Sequence, residues 1–146
     1  MKWGHKVKRL TGSVVVIICL IVINGCSGDA GNEIFKISDG DPVVLTHDLE
    51  YGMEEELKGV LEYDNETKCL YIKSTIKDDL NDSNVPIWPK GTTSYSENDL
   101  HGVNIPDHGI FLEGDTVEGG GGGVDVSNLE SDCLEEGITF AITSIK

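Results

Sequence analysis

The stretch Leu57-Lys58-Gly59-Val60-Leu61-Glu62-Tyr63-Asp64-Asn65-Glu66-Thr67-Lys68-Cys69-Leu70-Tyr71-Ile72-Lys73-Ser74 decides the fold. In its first part Leu57, Gly59, Leu61 and Tyr63 alternate with Lys58, Val60 and Glu62. A period of two places the sets on opposite faces of a strand, because successive side chains of extended backbone point to opposite sides. Asp64-Asn65-Glu66-Thr67 then supplies turn formers, whose short polar side chains bond their own backbone. From Lys68 the extended pattern resumes, with Leu70 and Ile72 on one face and Cys69 and Tyr71 on the other. Two such runs around a polar turn predict an antiparallel hairpin.

Outward from the hairpin, the rest of the chain also reads as short strands. Val43, Val44 and Leu45 make a brief apolar run after Pro42. Val85-Pro86-Ile87-Trp88-Pro89 is another, which its two prolines should confine to an edge or a bend. Residues 92–99 read as a loop and residues 102–105 as a short strand. Residues 110–113 and 116–118 flank Gly114-Asp115, which fits a two-residue hairpin turn with glycine first. Ile138, Phe140 and Ile142 share one face of a closing strand, with Thr139 and Ala141 on the other. No segment has a sustained helical period; residues 49–57 come nearest, and Gly52 interrupts them. Short strands separated by turn signals predict an all-β domain: a small OB-like barrel of five or six strands over residues 42–146. It would follow an N-terminal signal helix (residues 1–25) and a flexible acidic tether (residues 26–41) rich in Gly, Asp, Ser and Asn.

The N-terminus reads as an address. Lys2, Lys6, Lys8 and Arg9 precede an apolar run of ten residues, 14–23, with no acidic residue among them. A helix crossing the bilayer core needs roughly 20 residues, so this run is short for a span and right for an export signal. It ends in Ile23-Asn24-Gly25-Cys26, which resembles the lipobox of bacterial lipoproteins. The resemblance implies cleavage after Gly25 and a diacylglyceryl group, with its long acyl chains, on the sulfur of Cys26. Two acyl chains hold a protein on a membrane durably where one does not. The other readings are an export signal without lipid or an uncleaved N-terminal anchor, in either of which Cys26 is incidental. The succession Gly59-Val60-Leu61, Cys69-Leu70, Ile87-Trp88-Pro89-Lys90-Gly91, Gly114-Asp115-Thr116-Val117 and the glycine run 119–123 is similar to a set of small bacterial lipoproteins of unassigned function. That similarity implies one compact β domain and carries over no ligand.

Charge narrows the partners. The residues after Cys26 hold seven lysines, no arginine and all 26 acidic residues, a net charge of −19. Nucleic-acid binding requires a basic face to neutralise phosphate, and none is available. Of the four cysteines, Cys19 falls in the signal and Cys26 takes the lipid, leaving Cys69 and Cys133 as an even pair in an exported chain. They are expected to form a disulfide closing a loop of about 65 residues. The chain-entropy model gives such a loop roughly 4 kcal/mol. Two buried thiols are the alternative.

Chemistry-bearing patterns are few. The run Gly119 to Gly123 is followed by Val124-Asp125, not by the Lys-Ser/Thr of a phosphate loop, so it reads as a flexible connection or a place where backbones approach closely. Asp78-Asp79-Leu80-Asn81-Asp82-Ser83-Asn84 opens like a calcium loop but has Asn84 and Lys90 where Gly and Glu are needed. His101 and His108, near Asp99 and Asp107, lack a zinc-ligand spacing. Trp88 reads as a core or barrel-end residue, with ligand stacking the sharper alternative. No nucleophile stands beside a base. The expected protein is therefore a monomeric, non-catalytic binding domain without metal or cofactor. Lipid on Cys26 would hold it on the extracytoplasmic face of a membrane, where it meets an envelope ligand or protein. A calcium- or metal-dependent binding module, or a small envelope enzyme, are the competing expectations.

Overall fold

The computed structural model describes residues 34–50, 54–77, 82–135 and 137–146. The expected lipidation residue Cys26, its signal and the start of the calcium-like loop (residues 78–81) lie outside them. All described residues belong to one unit, Gly31–Lys146.

The predicted hairpin forms. Strand β3 (Glu55–Asp64) pairs antiparallel with β4 (Cys69–Ser74), Leu61 opposite Ile72 and Asp64 opposite Cys69. Asn65 to Lys68 make the turn, capped by an Asp64 Oδ1 bond from the Glu66 N–H at 2.8 Å. Around this hairpin the remaining strands are β1 (Phe35–Ser38), β2 (Val44–His47), β5 (Ser83–Pro89), β6 (Thr93–Glu97), β7 (Leu100–Ile105), β8 (Gly109–Leu112), β9 (Thr116–Gly123) and β10 (Ile138–Ile145). A single turn of 3-10 helix, Asp132–Leu134, is the one helical element among the described residues.

Pairing runs β3 to β4, β4 to β5, β5 to β10, β10 to β9 and β9 back to β3, which closes a five-stranded barrel. Strands β3, β4 and β5 lie side by side, and β9 returns over a long connection to lie beside β3; this is a Greek key. The last strand, β10, closes the ring between β9 and β5, parallel to β5 and antiparallel to β9. The domain is all-β, as expected, and the OB-like barrel is present. Full closure leaves the ring without open sheet edges.

Alternation along each strand fills two cores. Leu57, Leu61, Leu70, Ile72, Trp88, Val117, Phe140 and Ile142 point into the barrel. Cys69 and Tyr71 of β4 and Val85 and Ile87 of β5 point outward, yet all but half-buried Tyr71 are buried. They are covered by Phe35, Ile37 and Leu45 of the β1–β2 pair and by Val124, Val126, Leu129 and Leu134 of the β9–β10 connection. A three-stranded sheet, β6-β7-β8, fills the long β5–β9 connection and sends Val103 and Ile105 into the barrel core.

Four local expectations are corrected. Strand β5 is no edge: β10 pairs along one side, while β4 (at Ser83 and Asn84) and then β2 (at Ile87 to Pro89) share the other. Pro86 is tolerated because it falls in the break between those two partners. Residues 110–118 do not form a hairpin, since β8 belongs to the small sheet and β9 to the barrel. The turn instead transfers the chain, with Gly114 at φ +92° and its N–H bonded to the Leu61 carbonyl at 2.8 Å. The supposed loop 92–99 contains β6, a polar strand whose pattern lacks apolar alternation. Part of the stretch read as tether, Phe35–Ser38, is strand β1, with Phe35 and Ile37 supplying the apolar contacts.

Candidate functional site

The pair Cys69 and Cys133 is joined as a disulfide across 64 residues, with Cα atoms 5.4 Å apart. Its position follows from the topology. Cys69 opens β4 on the outward face, and Cys133 sits in the 3-10 turn of the β9–β10 connection, so the bridge fastens residues 124–135 over β4 and β5. Both cysteines are buried. In OB-like barrels the outer face of these two strands, flanked by the loops that correspond here to β3–β4 and β9–β10, is the usual place for ligands. In this chain that face carries the second apolar core.

A polar cluster forms where the hairpin meets the small sheet. The Tyr63 hydroxyl donates to Asp41 Oδ1 at 2.7 Å, and Lys68 Nζ lies 3.1 Å from Asp41 Oδ2. The His101 ring stacks on Tyr63, with centroids 3.9 Å apart and planes 12° from parallel. His101 Nδ1 is 3.4 Å from Glu113 Oε1, which also accepts the His101 backbone N–H at 2.9 Å. Burial, reinforced by the hydrogen bond to Asp41, pushes the Tyr63 phenol up to about 12. The bond from Tyr63 and then that from Lys68 hold the Asp41 carboxyl below its ordinary range. These contacts tie the β1–β2 connection, β3 and β7 together.

An open cleft of about 790 Å³ lies beside the end of β2. Asp48, Glu50, Glu54, Glu55 and Glu56 line it, against Lys90 and Lys146. Lys90 pairs with Asp48 at 2.6 Å. His47 lies at the wall, buried, with Nε2 donating to the Ile142 carbonyl at 2.7 Å and Nδ1 accepting the Leu49 N–H at 3.1 Å. Those two bonds fix the neutral tautomer and use both ring nitrogens, so this histidine anchors β2 to β10. No local pattern hints at that role, because the partner carbonyl is 95 residues away.

Other residues singled out in the sequence do not converge. His101 belongs to the Tyr63 cluster, whereas His108 sits in the β7–β8 turn, where its N–H bonds the Ile105 carbonyl at 3.1 Å. Among the described residues no three His, Cys, Asp or Glu side chains are grouped to hold a metal ion. Trp88 is a core residue, 1% exposed, inside the barrel. The glycine run 119–123 is the second part of strand β9. Among the described residues no helix is long and apolar enough to cross a membrane. Compared with protein-family models, curated proteins and solved structures, the chain matches none.

Proposed function

We propose that this is a lipid-anchored extracytoplasmic binding domain, held at the bacterial envelope through acylated Cys26 and acting by contact, not catalysis. The observation that carries the reading is the buried Cys69–Cys133 disulfide. Structural disulfides persist in exported proteins and are rare in the cytosol, and the basic, apolar, lipobox-like start of the chain points to the same side of the membrane. The polar groups support a non-catalytic role: Tyr63, Asp41, His101 and Glu113 bond one another, and both nitrogens of His47 are engaged. The surface left for a partner is acidic, which favours a cationic protein segment or ligand over nucleic acid.

The test is growth of the producing cell with a clickable fatty acid, followed by mass spectrometry of the membrane fraction. The expected result is a label on the peptide that begins at Cys26, and its loss together with release from the membrane in Cys26→Ser. Label retained in Cys26→Ser would end the lipoprotein reading. Cross-linking of the intact protein in its native envelope tests the binding role, which fails if only unlinked monomer is recovered.

A further inference from the structure

The geometry points to a redox-released strap: residues 124–135 form a removable cover over the outer apolar face of β4 and β5, and the Cys69–Cys133 bond is its clasp. The inference rests on the oxidised pair, and it stands or falls independently of the lipid on Cys26.

Three observations carry it. The strap contributes no strand to the barrel, whose ring is closed by β3, β4, β5, β9 and β10 alone. Apart from the Val124 N–H at its root, which bonds the Thr139 carbonyl of β10 at 3.1 Å, its backbone-to-backbone N–H bonds are local: Leu129 to Val126, Leu134 to Ser131 and Glu135 to Asp132. It meets the barrel face through apolar side chains, Val126, Leu129 and Leu134, and through the disulfide. The seat of the strap is also incomplete. A cleft of about 470 Å³ lies between it and the start of β10, bordered by Val124, Leu129, Leu134 and Ile138, the last 43% exposed. The barrel interior is a separate cluster, filled by other residues.

The release step balances with a dithiol as reductant. One of its thiolates attacks a sulfur of the bridge, the Cys69–Cys133 bond breaks, and a mixed disulfide forms. The second thiol of the reductant then displaces the protein sulfur. The reductant leaves as its disulfide, and Cys69 and Cys133 each end as a thiol, two electrons and two protons having moved to the protein. Both sulfurs are buried, so attack follows a local opening of the strap. Release would remove the strap's share of the cover over β4 and β5, while the share from Phe35, Ile37 and Leu45 stays in place.

The experiment is hydrogen–deuterium exchange with mass spectrometry on the full chain in detergent, before and after treatment with excess dithiothreitol. In the reduced protein, peptides covering residues 124–135 should exchange about tenfold faster or more, while peptides from β3 and β9 keep their protection. The Cys69→Ala/Cys133→Ala double variant should show the same pattern without reductant, which separates loss of the clasp from a side effect of the reagent. Unchanged exchange in the strap would overturn the proposal. So would loss of protection throughout the barrel together with the strap, since the bridge would then be a general staple and not a clasp.

Discussion

Gly121 shows how much one side chain can matter in this barrel. A Cβ there would meet the Ala141 carbonyl oxygen at 1.9 Å, and one at Gly119 would meet that of Ser144 at 2.1 Å. The ladder slips between Ile142 and Ser144, and the backbones of β9 and β10 press close there. Gly121→Ala should therefore cost about 2 kcal/mol or more in a urea melt, as overpacking does. Gly123→Ala, with its nearest atom 4.0 Å away, should stay within about 0.5 kcal/mol. Equal costs at the two sites would contradict this account. The run of glycines was visible in the sequence, and so was close approach as one of its two meanings; only the slipped register chose between them. Tyr63 gives a second outcome at this level. Its raised phenol means the folded state favours the protonated ring. The stabilisation is complete below about pH 10 and is lost as pH climbs through about 12. An ultraviolet titration should show one tyrosine ionising near 12, and Tyr63→Phe should remove that step and cost about 1 kcal/mol.

Strand β7 supplies the small sheet's fully buried residues of the barrel core, with Phe111 of β8 packed against that core. Val103 and Ile105 alternate into the core, while Asn104 faces water and Ile110 of β8 is 46% exposed. Ile105→Ala should cost about 2–4 kcal/mol by leaving a cavity, whereas Ile110→Ala should change the denaturation midpoint little. Similar losses would mean that the sheet is not a plug. The short strand at 102–105 was legible because its residues alternate, but β6 was not. Thr93 to Glu97 carry no apolar period, and they are held extended by their pairing with β7 alone. Strand β5 misled for the opposite reason. Its prolines argue locally for an edge, yet Pro86 falls where one partner ends and the next begins, a circumstance created by strands far away in the chain.

The whole molecule is shaped by excess negative charge as well as by its ring of strands. With seven lysines against 26 acidic residues after Cys26, self-repulsion opposes the compact state. Raising ionic strength from about 0.01 to 0.15 M shortens the screening length from about 30 to 8 Å. The melting temperature should rise with it; a fall would show that favourable surface pairs such as Lys58–Glu118 and Lys68–Asp41 outweigh the repulsion. From the amino-acid order alone came the strand-rich class, the central hairpin, the acidic surface and the choice of Cys69 and Cys133 as partners, because alternation, charge and cysteine parity are written locally or by count. Which strands are neighbours, that the glycine run is a wall of the barrel, and that residues 124–135 cover the face of β4 and β5 were settled only in three dimensions. Ring closure joins segments far apart in the chain, and no local pattern encodes which distant backbone will supply a strand with its hydrogen bonds.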